Sequence, residues 1–226
     1  MAAFTGFGKE TVRFLAALSA NNKPEWFNAH RADYEAHYIE PAKDFIVAIA
    51  APLRELAPAI QAEPKVNGSI FRINRDIRFS RDKTPYKDHL DLWFWEGDRK
   101  RAASGFFFRL TKDRLILGVG AHGFDAERLA RYREALADNK KGAALAKIAA
   151  ELDRVGNPAR GEHYKTVPKP FGDANPQIQH LAKFNALYAM HELKHPAELG
   201  RPEFVNFCVE KWKPLAPLHR WLVAIG

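Results

Sequence analysis

At 226 residues, 46% of them hydrophobic and 27% charged, the chain is long enough to bury a substantial core and too apolar to be disordered. Its single cysteine, Cys208, excludes a disulfide framework and a thiolate zinc cluster, and no apolar run approaches the ~18 residues of a membrane span. A formal charge of +8 favours acidic partners such as phosphate esters, nucleic acid or an anionic membrane.

The first sixty residues carry helical periodicity. Val12, Phe14, Leu15 and Leu18 form one stripe, and the charges among them (Lys9, Glu10, Arg13) make this an amphipathic helix, not a signal peptide. The absence of a leader and a span predicts a soluble, cytoplasmic protein. Asn21 and Asn22 break the stripe, and Pro24 opens a second helix at a favoured position. Trp26, Phe27, His30, Tyr34 and Tyr38 recur along it until Pro41, which interrupts or kinks the run before Phe45, Ile46, Ile49 and Leu53 resume it.

From Val66 to Gly123 the period becomes two. Leu90, Leu92 and Phe94 alternate with Asp91, Trp93 and Trp95; Phe106, Phe108 and Leu110 form a second strand; Leu115, Leu117 and Val119 follow the Lys112-Asp113 turn. The connections are short, which implies antiparallel neighbours. Helical spacing returns over 125–152, with a break near Asn139–Gly142. The stretch 157–175 has no period and reads as a lid, binding loop or surface strap carrying His163, Lys165 and Lys169. Phe184, Ala186, Tyr188 and Met190 spell another strand, and a helical region over 203–222 contains Cys208 as a small hydrophobe. These elements predict a single α+β domain over 1–226. Its mainly antiparallel sheet spans 66–123 plus a strand near 184–190, packed against helices at 9–58, 125–152 and 203–222.

Three motif matches are set aside on context. His191-Glu-Leu-Lys-His195 fits H-E-x-x-H, but Pro196 and the alternation before it point to a strand. There, residues four apart lie roughly 13 Å from each other, too far for one zinc. Gly118 to Gly123 fits G-x-G-x-x-G, yet its strand belongs to a hairpin, not a parallel βαβ unit, so the glycines are expected to end a strand and turn the chain. On the second helix His30 and His37 stand about 10 Å apart, and Asp33 with His37 is not enough for an ion. No metal and no cofactor are expected.

One segment carries chemistry. Phe71 to Lys87 holds six cations (Arg72, Arg75, Arg78, Arg81, Lys83, Lys87) against two carboxylates (Asp76, Asp82). Alternation of Phe71, Ile73, Ile77 and Phe79 predicts a strand that turns Arg72, Asn74, Asp76, Arg78 and Ser80 to one face. Arg72, Arg78, Lys83 and Lys87, with the Tyr86 hydroxyl, are the candidate contacts for a small phosphate or carboxylate. Asp76 is placed to orient Arg78, Asp82 to cap the turn two residues on, and Arg75, if on the apolar face, needs a partner. A salt-bridge lattice pinning the segment to neighbouring helices is the competing reading.

The same segment resembles the signature of an uncharacterised family, domain of unknown function 2461: Arg-x-x-Arg-Asp-x-Arg-Phe followed by acid-Lys-x-x-Tyr. Arg72, Arg75, Asp76, Arg78, Phe79, Asp82, Lys83, Pro85 and Tyr86 carry it. The likeness continues through Gly118–Gly120, Lys165–Phe171 and the C-terminal Pro214 and Pro217. It implies a chain of this length and no particular activity. Two further classes stay open: nucleic-acid binding, which predicts an exposed Trp93 or Trp95 beside a basic face, and an interaction module without chemistry. No membrane partner is expected.

Overall fold

A computed structural model describes residues 3–226 and gives an α+β fold with a six-stranded antiparallel sheet. Helices α1 (Lys9–Ala20), α2 (Pro24–Ala29), α3 (Arg31–Tyr34) and α4 (Glu40–Leu56) come first, then strands β1 (Ile60–Gln61), β2 (Leu90–Glu96), β3 (Gly105–Leu110) and β4 (Arg114–Ala121). Helices α5 (Ala126–Ala137) and α6 (Asn139–Arg154), strand β5 (Arg160–Glu162), α7 (Pro176–Ala182), β6 (Phe184–Lys194), α8 (Phe204–Trp212) and α9 (Ala216–Ile225) complete the order. The strand order is β1-β2-β3-β4-β6-β5.

Local chemistry accounts for the helix boundaries. Pro24 sits in the first turn of α2, where its missing N–H costs nothing. Before Pro41 the backbone forms a π turn, Glu35–Ile39, instead of breaking; such a turn accommodates a residue that cannot donate to the ladder. Asp138 separates α5 from α6 because its side chain accepts from the Lys140 and Lys141 amides, starting a new helix.

By their contacts the described residues form two compact units. The first takes the chain up to Phe94, with Phe107–Leu117 and Glu192–Lys211. Its core includes a packed set of rings in which Phe45 lies 5.4 Å from Phe7, 5.3 Å from Phe108 and 5.8 Å from Phe204. A second set joins Phe14, Phe27, Tyr34 and Tyr38. The second unit takes Trp95–Phe106, Gly118–His191 and Trp212–Gly226. There Phe106 meets Trp212 and His219, and buried Tyr132 donates to the Leu181 carbonyl at 2.8 Å.

Several expectations change. The sheet does not begin at Val66: residues 66–89 form only isolated bridges, Val66 with Ile70, Ile70 with Leu92 and Asn74 with Tyr86. The segment 71–87 is therefore not a strand but an irregular loop. Its alternation broke because Phe79 stands 95% exposed while Tyr86 supplies the buried ring. Gly118 and Gly120 lie inside β4, not at its end. Gly120 has φ +135°, and a Cβ there would come within 2.2 Å of the Leu187 carbonyl oxygen, so glycine lets β4 and β6 approach. Gly123, at φ +95°, does turn the chain. The stretch 157–175 contains β5, paired to β6 as Arg160 with Tyr188 and Glu162 with Phe184 across an irregularity. Strand β6 runs to Lys194, so His191 is on a strand and His195 just past it; the His195 ring meets the Thr111 carbonyl at 3.0 Å.

Candidate functional site

The 71–87 loop is built from its own polar residues. Its stem closes by Arg75 N–H to Pro85 O and Lys87 N–H to Ile73 O, both 2.8 Å. Asn22 clamps that stem from the end of α1, accepting from the Tyr86 amide at 3.0 Å and donating to the Tyr86 carbonyl at 2.9 Å. At the tip Asp76 takes the Arg78 guanidinium with both oxygens, at 3.0 and 2.7 Å. Asp82 accepts from the Thr84 amide at 3.0 Å and holds Arg75 at 2.5 Å; Arg75 also meets the Thr84 hydroxyl and carbonyl. The Thr84 amide first, and then Arg75, hold the Asp82 carboxyl down at about 2. The Lys83 ammonium donates to the Ile77 carbonyl at 2.8 Å.

The candidate residues thus separate by role. Arg78 and Lys83 are tied into the exposed tip, and Arg75 is committed to Asp82. Tyr86 is buried, its ring stacked 4.3 Å from Phe27. Arg72 makes no hydrogen bond or ion pair to the described residues. Lys87 is half-buried, its ammonium 4.8 Å above the Phe71 ring. Burial lowers the Lys87 pKa, with Asp91 opposing and Arg109 and Arg72 reinforcing the shift.

That pairing of Lys87 with Arg109 and Arg72 leads to a polar network which the 71–87 signature does not contain. Asp91 is 4% exposed on β2 and takes Arg109 of β3 side-on, Nε to Oδ1 at 2.7 Å and Nη2 to Oδ2 at 2.9 Å. His89 Nε2 lies 3.3 Å from Asp91 Oδ2, and His89 Nδ1 lies 3.1 Å from Asp88 Oδ1. Ser19 donates to Asp88 at 3.0 Å, and the Tyr38 hydroxyl donates to the His89 carbonyl at 3.1 Å. Burial works to raise the Asp91 pKa, but hydrogen bonds from His89 and Arg109 outweigh it and keep the carboxyl below its usual range. The sequence did hold a signal. Asp91 lies within an apolar run of β2 whose other charge is the terminal Glu96, Arg109 is the lone charge of adjacent β3, and buried charges occur in pairs. The chemistry available here is electrostatic: Lys87 and Arg109 both act on the Asp91 carboxylate, and Arg72 adds positive charge near Lys87.

Two other constellations are structural or bare. In the second unit Ser104 Oγ lies 3.0 Å from His219 Nδ1, and Glu96 Oε2 lies 3.8 Å from His219 Nε2. Ser104 and His219 are each 1% exposed, so this line of serine, histidine and carboxylate gives no substrate access to the hydroxyl. An open cleft of about 310 Å³ is lined by His122, Gly123, Glu162, His163, Asn185 and Tyr188. Among the described residues no three His, Cys, Asp or Glu side chains gather for a metal. Strand β4 has antiparallel neighbours rather than the parallel unit of a dinucleotide fingerprint. Trp95 is 3% exposed and is no open stacking platform. Among the described residues no helix is long and apolar enough to cross a membrane.

No curated protein and no solved structure matches the chain. Residues 10–221 match the family described as a conserved hypothetical protein (DUF2461), nearly the whole length, and the protein belongs to that family.

Proposed function

We propose that the protein binds a small anion, a phosphate or carboxylate, through Lys87, Arg72 and Arg109. Asp91, His89 and Asp88 hold Arg109 in place, and the 71–87 loop presents Arg72 and Lys87. One observation carries the reading: Arg109 and Arg72 both press on half-buried Lys87, beside a buried Asp91 carboxylate whose two oxygens are already occupied. Of the three, Arg72 makes no hydrogen bond or ion pair to the described residues, and Arg109 engages Asp91 through Nε and Nη2. An anion placed among them would relieve the mutual repulsion that, with burial, depresses Lys87. A charge-assisted hydrogen bond in a partly desolvated site is worth about 1.5–3 kcal/mol.

Calorimetric titration with inorganic phosphate, phenyl phosphate and acetate tests this. Saturable binding is expected for the wild type. Lys87→Ala and Arg72→Ala should each weaken it by roughly 10- to 150-fold, and Arg72→Ala should leave the melting temperature unchanged because it breaks no internal bond. Absence of saturable binding, or equal binding by both variants, rules the reading out.

A further inference from the structure

Phe79 stands apart from the rest of the surface. It is 95% exposed, whereas among the described residues the other exposed large apolar side chains, Val47, Val66 and Val155, are exposed by 42%, 38% and 36%. The loop that carries it is not slack. Asp76 grips Arg78 beside it, and the Ser80 amide and the Lys83 ammonium both donate to the Ile77 carbonyl. The ring is therefore held out in water by a bonded scaffold, without the burial that a phenylalanine ordinarily gains on folding.

Its surroundings define what fits. Both carboxylates near the tip are occupied, Asp76 by Arg78 and Asp82 by Arg75. Arg81 is exposed and makes no hydrogen bond or ion pair to the described residues, and Lys83 retains two of its three donors. The Arg78 guanidinium lies 5.8 Å from the Phe79 ring centroid, on one face, leaving the other open. A bilayer rewards several apolar residues sunk together; this tip has one, and Arg78 would be drawn in with it. An acidic protein would need a matching apolar socket beside its charges. A single-stranded nucleic acid offers a flat π-face and a phosphate at every step, which matches one ring flanked by cations on a chain of net charge +8.

We propose that the 76–83 tip docks single-stranded nucleic acid, with Phe79 stacked on a base and Arg78, Arg81 and Lys83 against phosphates. The surface is separate in its chemistry from the Lys87–Arg109 site. Fluorescence anisotropy of labelled oligo(dT) and oligo(U) with the full chain tests it. Saturable binding that weakens with added salt is expected. Phe79→Ala should reduce affinity about 5- to 150-fold, the equivalent of losing one stacked base, while leaving the melting temperature, the salt slope and phosphate binding at Lys87 unaltered. Phe79→Trp should retain affinity, and Arg81→Ala should flatten the salt slope. The proposal is overturned if the wild type binds neither oligonucleotide, if Phe79→Ala binds as well as the wild type, or if phosphatidylserine vesicles bind while the oligonucleotides do not.

Discussion

At Asp91 and Arg109 the cost of burying two charges is offset by side-on geometry, but not symmetrically. The Asp91 side chain is 6% exposed and that of Arg109 34%, so either residue left alone faces a different solvent. Arg109→Met strands a buried carboxylate and should cost about 3–5 kcal/mol. Asp91→Asn should cost less, because the guanidinium has water within reach. Urea unfolding at neutral pH measures both, and the double variant Asp91→Leu/Arg109→Met should recover much of the loss. His219 gives a second residue-scale expectation. Burial first, then the charge of Arg220, pushes its pKa down to about 4, and the carboxylate of Glu96 3.8 Å away does not offset this. The unfolded chain then takes up the proton first as pH falls. Stability present above the ordinary value of 6.5 should be lost between there and about 4, in all roughly 3 kcal/mol. In His219→Gln the slope of unfolding free energy against pH over that interval should vanish. These residue identities were only partly legible. Of the candidate site, Arg72, Lys87, the Asp76–Arg78 pair and the Asp82 turn follow from the local pattern, whereas Asp88 and His89 and the pairing of Arg109 come from tertiary contacts that local spacing does not encode.

Among the elements, the 71–87 loop depends on a residue far from it in sequence. Asn22 supplies both hydrogen bonds to Tyr86, so Asn22→Ala leaves two backbone groups of a part-buried stem without partners. A loss of about 2–4 kcal/mol is expected, and limited trypsin digestion should cut faster at Arg78, Arg81 or Lys83 than in the wild type. Gly120→Ala is the corresponding test within the sheet. A side chain at φ +135° in β4, 2.2 Å from the Leu187 oxygen, should cost at least ~1–3 kcal/mol and lower the melting temperature. Strands β2, β3, β4 and β6 were visible in their alternation, and the helices in their stripes and prolines. The loop was not. Alternating apolar residues are a strand signal only when every second one finds cover, and Phe79 does not.

For the whole molecule, fold class and antiparallel pairing were more legible than local geometry, because short connections force antiparallel neighbours whatever the loops do. Strand β5 escaped notice because three residues with a glycine carry no periodicity, and β1 because two residues cannot. The global acid response should fall in two windows. His219 acts above about pH 4. Asp88 and Asp91, both held below the usual carboxylate range, contribute stability that is complete above their unfolded value near 4 and lost as pH falls through their lower folded values. Removing the His219 step should therefore leave an acid transition that Arg109→Met moves to higher pH, and circular dichroism against pH resolves the two.

The π turn at Glu35–Ile39 has an arithmetical meaning. Tyr34 and Leu53 are both buried and lie 19 positions apart. An α-helix returns to the same azimuth every 18 residues, after five turns. One residue is thus surplus, and the wide turn absorbs it just before Pro41, so that the face below it resumes in phase. Deleting Ala36 together with Pro41→Ala should convert the run 31–56 into an uninterrupted α-helix of unchanged phase. That shortened chain should fold with a melting temperature near that of the wild type. Deleting Ala50 instead would rotate Leu53 by about 100° out of the core and should abolish folding.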